Sequence, residues 1–234
     1  MTRVAIIAAM AGELKPLVRG WNRDSRNGVA TWSRRQGECE WIAGCAGAGV
    51  QAAARAFEEI ERSGRIDCAY SVGWSGALDG RHAAGRAYNV TGVIDAGTGE
   101  RTPIAGAPGE CWLVTSPRVA GRPEKQRLAA DYGASLVDME AAGVASLARG
   151  KGIQFFCVKG VSDGIDDWLP DFNKFISSNG QFQMARFIAF AILRPWIWPS
   201  LIRMRCKCND AAESIREMML RELPGRSHES GRLD

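Results

Sequence analysis

Histidine is nearly absent from this 234-residue chain, which carries only His82 and His228. Its seven cysteines contain no CxxC pair, and Cys206 and Cys208 stand too close together for the usual zinc knuckle, so no structural or catalytic metal site is expected. An excess of one charge is also missing. The formal charge is +4, and much of it falls after Arg186, so the main body does not read as a nucleic-acid partner. The N-terminus lacks both the charged region and the small-residue cleavage site of a signal peptide, which leaves a cytoplasmic body as the expectation. No apolar run is long and unbroken enough to span a bilayer, and there is no internal repeat. With 46% hydrophobic and 24% charged residues, the composition is that of a globular protein and gives no sign of disorder.

What is present alternates between strand and helix signals. Residues 4–10 (VAIIAAM) form a continuous apolar run suited to a strand buried on both faces. A short helix opens at Ala11, with Glu13 just past the strand's carboxyl end; it reads either as a solvated acid favoured by the helix dipole or as a site residue. Residues 28–36 and 38–45 read as a strand pair, followed by a glycine turn and a helix over 52–63. That turn only loosely resembles GxGxxG, and no acidic ribose-binding residue is well placed after it. A dinucleotide site is therefore not expected, and no cofactor is implied.

Further strands are expected at 67–74, 85–96, 111–115 and 134–137, with a helix over 123–132. The stretch 137–163, VDMEAAGVASLARGKGIQFFCVKGVSD, sets Asp138 and Glu140 before a small-residue helix and ends an apolar strand on Ser162 and Asp163. Five cysteines, Cys39, Cys45, Cys68, Cys111 and Cys157, sit in such strand-like runs, where a thiol packs as a small hydrophobe in a reducing compartment. The alternation predicts an α/β fold, a three-layer α/β/α sandwich around a central mixed, mostly parallel sheet.

Four motifs then resemble, in order, those of the nucleoside phosphorylase superfamily, and in particular the methylthioadenosine/S-adenosylhomocysteine nucleosidases: AIIAAMAGEL, CAGAGVQAAARA, SVGWSGALDG, and VDMEAAGVA followed by FFCVKGVSD. The resemblance spans residues 4–193 and implies a nucleoside phosphorylase-like domain over 1–193, with 194–234 as an apolar and basic extension carrying one helix. It implies cleavage of a purine N-ribosidic bond, most simply the release of adenine from a 5′-substituted adenosine by hydrolysis. Asp163 matches the general acid, which would protonate N7 and needs a carboxyl kept protonated by partial burial beside the base. Glu140 matches the residue that holds the ribose hydroxyls, with Met139 against the sugar. Glu13 matches the carboxylate that activates water. Ser162, Ser75 and Gly76 line the matching turns, and the base side is closed by backbone between Ser116 and Ala120, including Val119.

The chain departs from the pattern at Trp74, where the relatives place Ser or Thr; indole cannot accept a hydrogen bond and fills space. Lys159 occupies a position often held by Arg, and reads equally as a strand residue paired with a neighbouring acid. Two alternatives to hydrolysis stay open: phosphorolysis, with phosphate as a further partner, and a binding homologue without turnover.

The tail is more apolar and aromatic than a surface tail should be. Trp196 and Trp198 beside Arg194, Arg203, Arg205 and Lys207 are what a peripheral membrane contact through 187–207 would use, and equally what covers a dimer partner or the chain's own sheet. This ending is similar to that of hopanoid-associated phosphorylases, whose substrate would be adenosylhopane, and it would bring the protein to the inner face of the membrane. The resemblance also implies at least a homodimer. A helix is expected over 210–223 and a frayed end beyond it.

Overall fold

The apolar run after Arg3 becomes β1 (Thr2–Ala8), and the reason is visible in the computed structural model, which describes residues 2–107 and 111–222. Val4, Ile6 and Ala8 enter one apolar cluster, while Ala5 and Ile7 enter another. The period-two alternation of a strand thus serves a core on both faces. After α1 (Ala11–Leu14), the strands β2 (Asn22–Arg26), β3 (Val29–Gln36) and β4 (Cys39–Cys45) form an antiparallel margin. The strand β2 was not anticipated from the sequence. NRDSR is polar and exposed throughout, so neither hydrophobic pattern marks it.

The chain continues through α2 (Val50–Arg62), β5 (Cys68–Ala77), β6 (Ala87–Asn89), β7 (Gly92–Asp95), β8 (Arg101–Pro103) and β9 (Trp112–Thr115). It then passes α3 (Arg122–Tyr132), β10 (Leu136–Asp138), α4 (Ala141–Gly150) and β11 (Gln154–Asp163). The single strand expected over 85–96 is two. β6 pairs with β11, and β7 pairs with β8 and β9, so the backbone changes partners between them.

All strands belong to one 11-stranded mixed sheet. Its centre is parallel, with β1 between β4 and β5, and β11 along the whole of β5. Helices α2 and α4 cover one face, where Ala53, Ala56, Phe57, Ile60, Val144 and Ala148 pack on Ala5 and Ile7. Fully burying a side chain such as Phe57 stabilises the fold by about 2–3 kcal/mol relative to leaving it exposed.

The C-terminal region does not run as one continuous helix. A 3-10 turn at Phe172–Phe175 is separated by an irregular stretch from α5 (Met184–Ile192). Nor does the final helix begin near residue 210. It runs as α6 from Trp198 to Glu222, and Pro199 falls in its first turn, where proline is tolerated. The second half of α6 is built into the sheet's own core, with Ile215 and Met219 fully buried beside Tyr70 and Val158. The first half and α5 are different. Met184, Ile188, Ile192, Leu193, Trp196, Trp198 and Ile202 are all exposed. No single described helix is long and apolar enough to cross a membrane; α5 and the helical run from Pro195 meet at 105°.

Candidate active site

The carboxyl ends of β1, β5, β10 and β11 converge on one cavity of about 520 Å³. All the residues singled out from the motifs line it: Glu13, Trp74, Ser75, Gly76, Val119, Ala120, Met139, Glu140, Ser162 and Asp163. Ligands collect at such ends because side chains there face a crevice instead of a packed layer.

Glu13, only 3% exposed, reaches back from the third position of α1 to close the end of β1. Its Oε2 accepts the backbone N–H groups of Ala9 at 2.9 Å and Met10 at 2.8 Å, and its Oε1 accepts that of Trp74 at 2.9 Å. Burial raises its pKa, against the pull of those N–H groups and of Lys159. The carboxylate packs directly on Gly73, whose φ of +143° and lack of Cβ make the room; an added Cβ would lie 2.9 Å from Oε1. The reading of Glu13 as a solvated helix-start acid is excluded by this burial.

Trp74 does not occupy the space beside Glu13 with a free ring. Its Nε1–H donates to the carbonyl of Cys208 on α6 at 2.9 Å, and its ring edge lies against Gly12, which makes it a wall between α1 and α6.

The end of β10 carries a denser charge cluster. Asp138 accepts from Thr115 Oγ1 at 2.7 Å and from Ala141 N–H at 2.9 Å, and pairs with Lys159 Nζ at 2.8 Å. Lys159 is therefore committed to a neighbouring acid, and it also donates to Ser71 at 3.1 Å. Burial alone would lower its pKa, but Asp138, Cys157 and Glu140 outweigh that and hold the ammonium above its usual range. Glu140 accepts the Gly49 N–H at 2.7 Å. Burial first, then the charge of Asp138, push Glu140 up to about 8, opposed by Lys159 and that N–H.

The glycine turn before α2 has its donors spoken for. Gly47 N–H donates to Ala9 O at 3.0 Å and Ala48 N–H to Gly180 O at 2.8 Å, which completes the set with Gly49.

At the end of β11 the register with β5 slips between Val161 and Asp163, a bulge that brings Ser162 and Asp163 to the same side. Ser162 Oγ donates to Asp163 Oδ1 at 2.5 Å. The resemblance implied a carboxyl kept protonated by partial burial beside the base. Instead, Asp163 Oδ2 meets the ammonium of Lys125, which reaches in from α3 and is 1% exposed. Lys125 was not anticipated, because a lysine in a helix's first turn reads as a surface residue.

On the loop after β9, Val119 is tied to Asn173, its N–H donating to Oδ1 at 2.9 Å and its carbonyl accepting from Nδ2 at 3.0 Å. Ala120 is 4% exposed, and neither its N–H nor its carbonyl takes part in a hydrogen bond among the described residues. The remaining wall is apolar: Leu169, Phe172, Ile176, Phe182, Met184 and Met204. Among the described residues no cluster of His, Cys, Asp and Glu could hold a metal ion.

A family model for the Phosphorylase superfamily matches residues 99–194. No curated protein matches the sequence. Among solved structures, futalosine hydrolase of Helicobacter pylori is similar at a TM-score of 0.71 and 13% identity, over 95% of this chain and 98% of that one. The 5′-methylthioadenosine/S-adenosylhomocysteine nucleosidase of the same organism gives 0.70 and 14%, over 95% and 99%. That of Neisseria meningitidis, in complex with methylthio-immucillin-A, gives 0.69 and 18%, over 94% and 97%. The resemblance read from the motifs therefore stands: residues 99–194 match the Phosphorylase superfamily directly, and the chain as a whole has the fold of these nucleosidases.

Proposed function

We propose that this protein hydrolyses the N-ribosidic bond of a 5′-substituted adenosine and releases adenine. The observation that carries the reading is the meeting of three buried acids, Glu13, Glu140 and Asp163, in one cavity at strand ends. Breaking the bond leaves positive charge on the ribosyl carbon and negative charge on the purine, so the two ends of the bond need opposite help. Asp163 protonates N7 of the leaving base. Glu140 holds the ribose hydroxyls, and a carboxyl that titrates near 8 ionises readily when a cation develops beside it. Glu13 takes the proton of the attacking water, a task that suits a carboxylate whose basicity burial has raised. Ala120 lines the cavity with its N–H and carbonyl both without a hydrogen bond among the described residues, a donor and an acceptor that the N1 and N6 edge of adenine could use. The solved nucleosidases named above include those for methylthioadenosine and S-adenosylhomocysteine, in keeping with a 5′-substituted adenosine.

Water is favoured over phosphate for a physical reason. An incoming phosphate needs free N–H groups or an unpaired cation near the sugar. The N–H groups of Ala9, Met10 and Trp74 serve Glu13, those of Gly47, Ala48 and Gly49 serve other protein acceptors, and the lining cations Arg118 and Lys125 are each paired with an acid. The test is adenine release from methylthioadenosine and S-adenosylhomocysteine in phosphate-free buffer. Turnover there is the expected result, and an absolute requirement for phosphate would overturn the hydrolytic assignment.

A second reading of the 5′ group rests on α5 and α6. Met184 and Met204 line the cavity, and Met184 begins a stripe with Ile188 and Ile192 on a helix that buries none of its residues. Exposed Trp196, Trp198 and Ile202, with exposed Arg186, Arg203 and Arg205, continue it. An apolar face rimmed by cations suits the interface of an anionic bilayer, and a lipid carrying adenosine on its 5′ carbon would then enter the cavity from the membrane. The protein is expected to co-sediment with vesicles containing anionic lipid, and the double variant Trp196→Ala, Trp198→Ala to lose at least about tenfold in that binding. Equal recovery of both proteins in the supernatant would remove the lipid version.

A further inference from the structure

Lys125 lines the cavity as a buried cation, and the roles above leave it unassigned. Its position is costly. It lies in the first turn of α3, where the helix dipole disfavours a cation, and it is 1% exposed, where desolvation disfavours it again. The fold nevertheless makes room for it. Gly76 on β5 packs against its stem, and a Cβ at that position would stand 2.9 Å from Lys125 Cε and 3.2 Å from both its Nζ and Asp163 Oδ2. The ammonium is then held by three oxygens of one short segment: Asp163 Oδ2, the Gly164 carbonyl at 2.6 Å and the Asp163 carbonyl at 3.5 Å. The second carboxylate oxygen accepts the Ser162 hydroxyl at 2.5 Å, and the Ser162 oxygen also lies 3.2 Å from the Ser75 carbonyl. Both oxygens of Asp163 are thus clamped before any substrate arrives.

This arrangement changes the proton accounting at the leaving group. An ion pair of ammonium and carboxylate carries its transferable proton on nitrogen, whereas N7 of the purine needs it from the carboxyl side. We propose that Lys125 supplies the proton that Asp163 delivers, an inference that rests on the nucleosidase reading. As the C1′–N9 bond breaks and both its electrons go to the purine, Asp163 gives a proton to N7 and takes one from Lys125 Nζ, which becomes a neutral amine. Water adds its hydroxyl to C1′ and its second proton goes to Glu13. One turnover therefore leaves Glu13 protonated and Lys125 neutral, and exchange with solvent restores both. Lys125 touches no reacting atom; it acts through Asp163, as a positioning residue that also feeds the acid.

The role is read from dependence on the leaving group. Nitrophenolate departs without a proton, so a 5′-substituted 4-nitrophenyl ribofuranoside bypasses the acid while still using Glu140 and Glu13. With a 5′-substituted adenosine, Lys125→Met is expected to lose about 10²-fold in kcat, as is Asp163→Asn, while on the nitrophenyl riboside each loses less than about threefold. Lys125→Arg keeps the charge but cannot give up a proton, and is expected to behave like Lys125→Met with both substrates. Equal losses on the two substrates for Lys125→Met would mean that the lysine merely holds the site together. Recovery of adenosine cleavage in Lys125→Arg would mean that charge alone suffices; either result overturns the proposal. A wild-type protein that releases no adenine at all defeats the nucleosidase reading instead. A leaving-group split in Asp163→Asn without one in Lys125→Met defeats only the inference about the lysine.

Discussion

Glu13→Gln is expected to lower kcat for adenine release by about 10³-fold and to lower the melting temperature as well. The catalytic loss follows from removing the buried carboxylate proposed to take the proton of water, since an amide cannot do so, and general bases contribute on the order of 10²–10⁴-fold. The stability loss follows from the hydrogen bonds. Both carboxylate oxygens accept backbone N–H groups, Ala9 and Met10 on one and Trp74 on the other. Whichever way the Gln side chain is turned, its NH₂ faces at least one donor, and a buried unmatched donor costs about 1–3 kcal/mol. For a chain of this size that is roughly 2–12 °C in Tm. A variant that kept full activity would exclude Glu13 as the base, and one that melted like the parent would show that the N–H cradle is not what holds it.

Glu140→Gln gives the opposite pairing: turnover lost by about 10²–10³-fold, but stability gained at alkaline pH. The cause is the charge count beneath the cavity. Lys159 already neutralises Asp138 at 2.8 Å, so an ionised Glu140 is an extra buried anion. Because the folded-state pKa of about 8 lies above the ordinary carboxyl value of 4.5, the folded protein holds a proton that the unfolded chain would release. The contribution is therefore fully present below about pH 4.5 and is lost as pH rises through about 8. Gln carries no such cost, and its Oε1 can still accept the Gly49 N–H. Tm measured against pH is expected to fall less steeply in the variant, with a gain of roughly 10 °C or more at pH 9 and only a small one at pH 5. Parallel curves for the two proteins would show that Glu140 does not titrate in this window.

The contrast between what the residues announced and what they hid has a physical basis. Glu13, Glu140 and Asp163 could be found because each stands at the end of an apolar run, so its neighbours along the chain fix where it goes. The core alternation of β1 was legible for the same reason. Lys125 was not, because nothing local distinguishes a buried lysine from a surface one in RPEKQRLAADY; its burial depends on Gly76, 49 positions earlier by their numbering, and on Asp163, which follows it by 38. The pairing of Lys159 with Asp138 is likewise tertiary. The strand β2 escaped because an exposed edge needs no hydrophobic pattern, and the start of α6 escaped because Pro199 marks an interruption in a sequence but only a first turn in a helix. The partner of Trp74 was likewise hidden: its indole N–H donates to the Cys208 carbonyl while the residue lines the cavity.

One consequence of β5 remains. Gly73 and Gly76 are bare places on one strand, the first admitting the carboxylate of Glu13 and the second the stem of Lys125. Three residue steps of strand separate them, roughly 10 Å. The interval between the group that receives water's proton and the group that feeds the purine's is consequently measured out by backbone, the least deformable part of the molecule. A strand used in this way is a ruler. Substitutions in α1 or α3 can weaken one end or the other, but the gauge between the two ends changes only if the middle of the sheet itself is rebuilt.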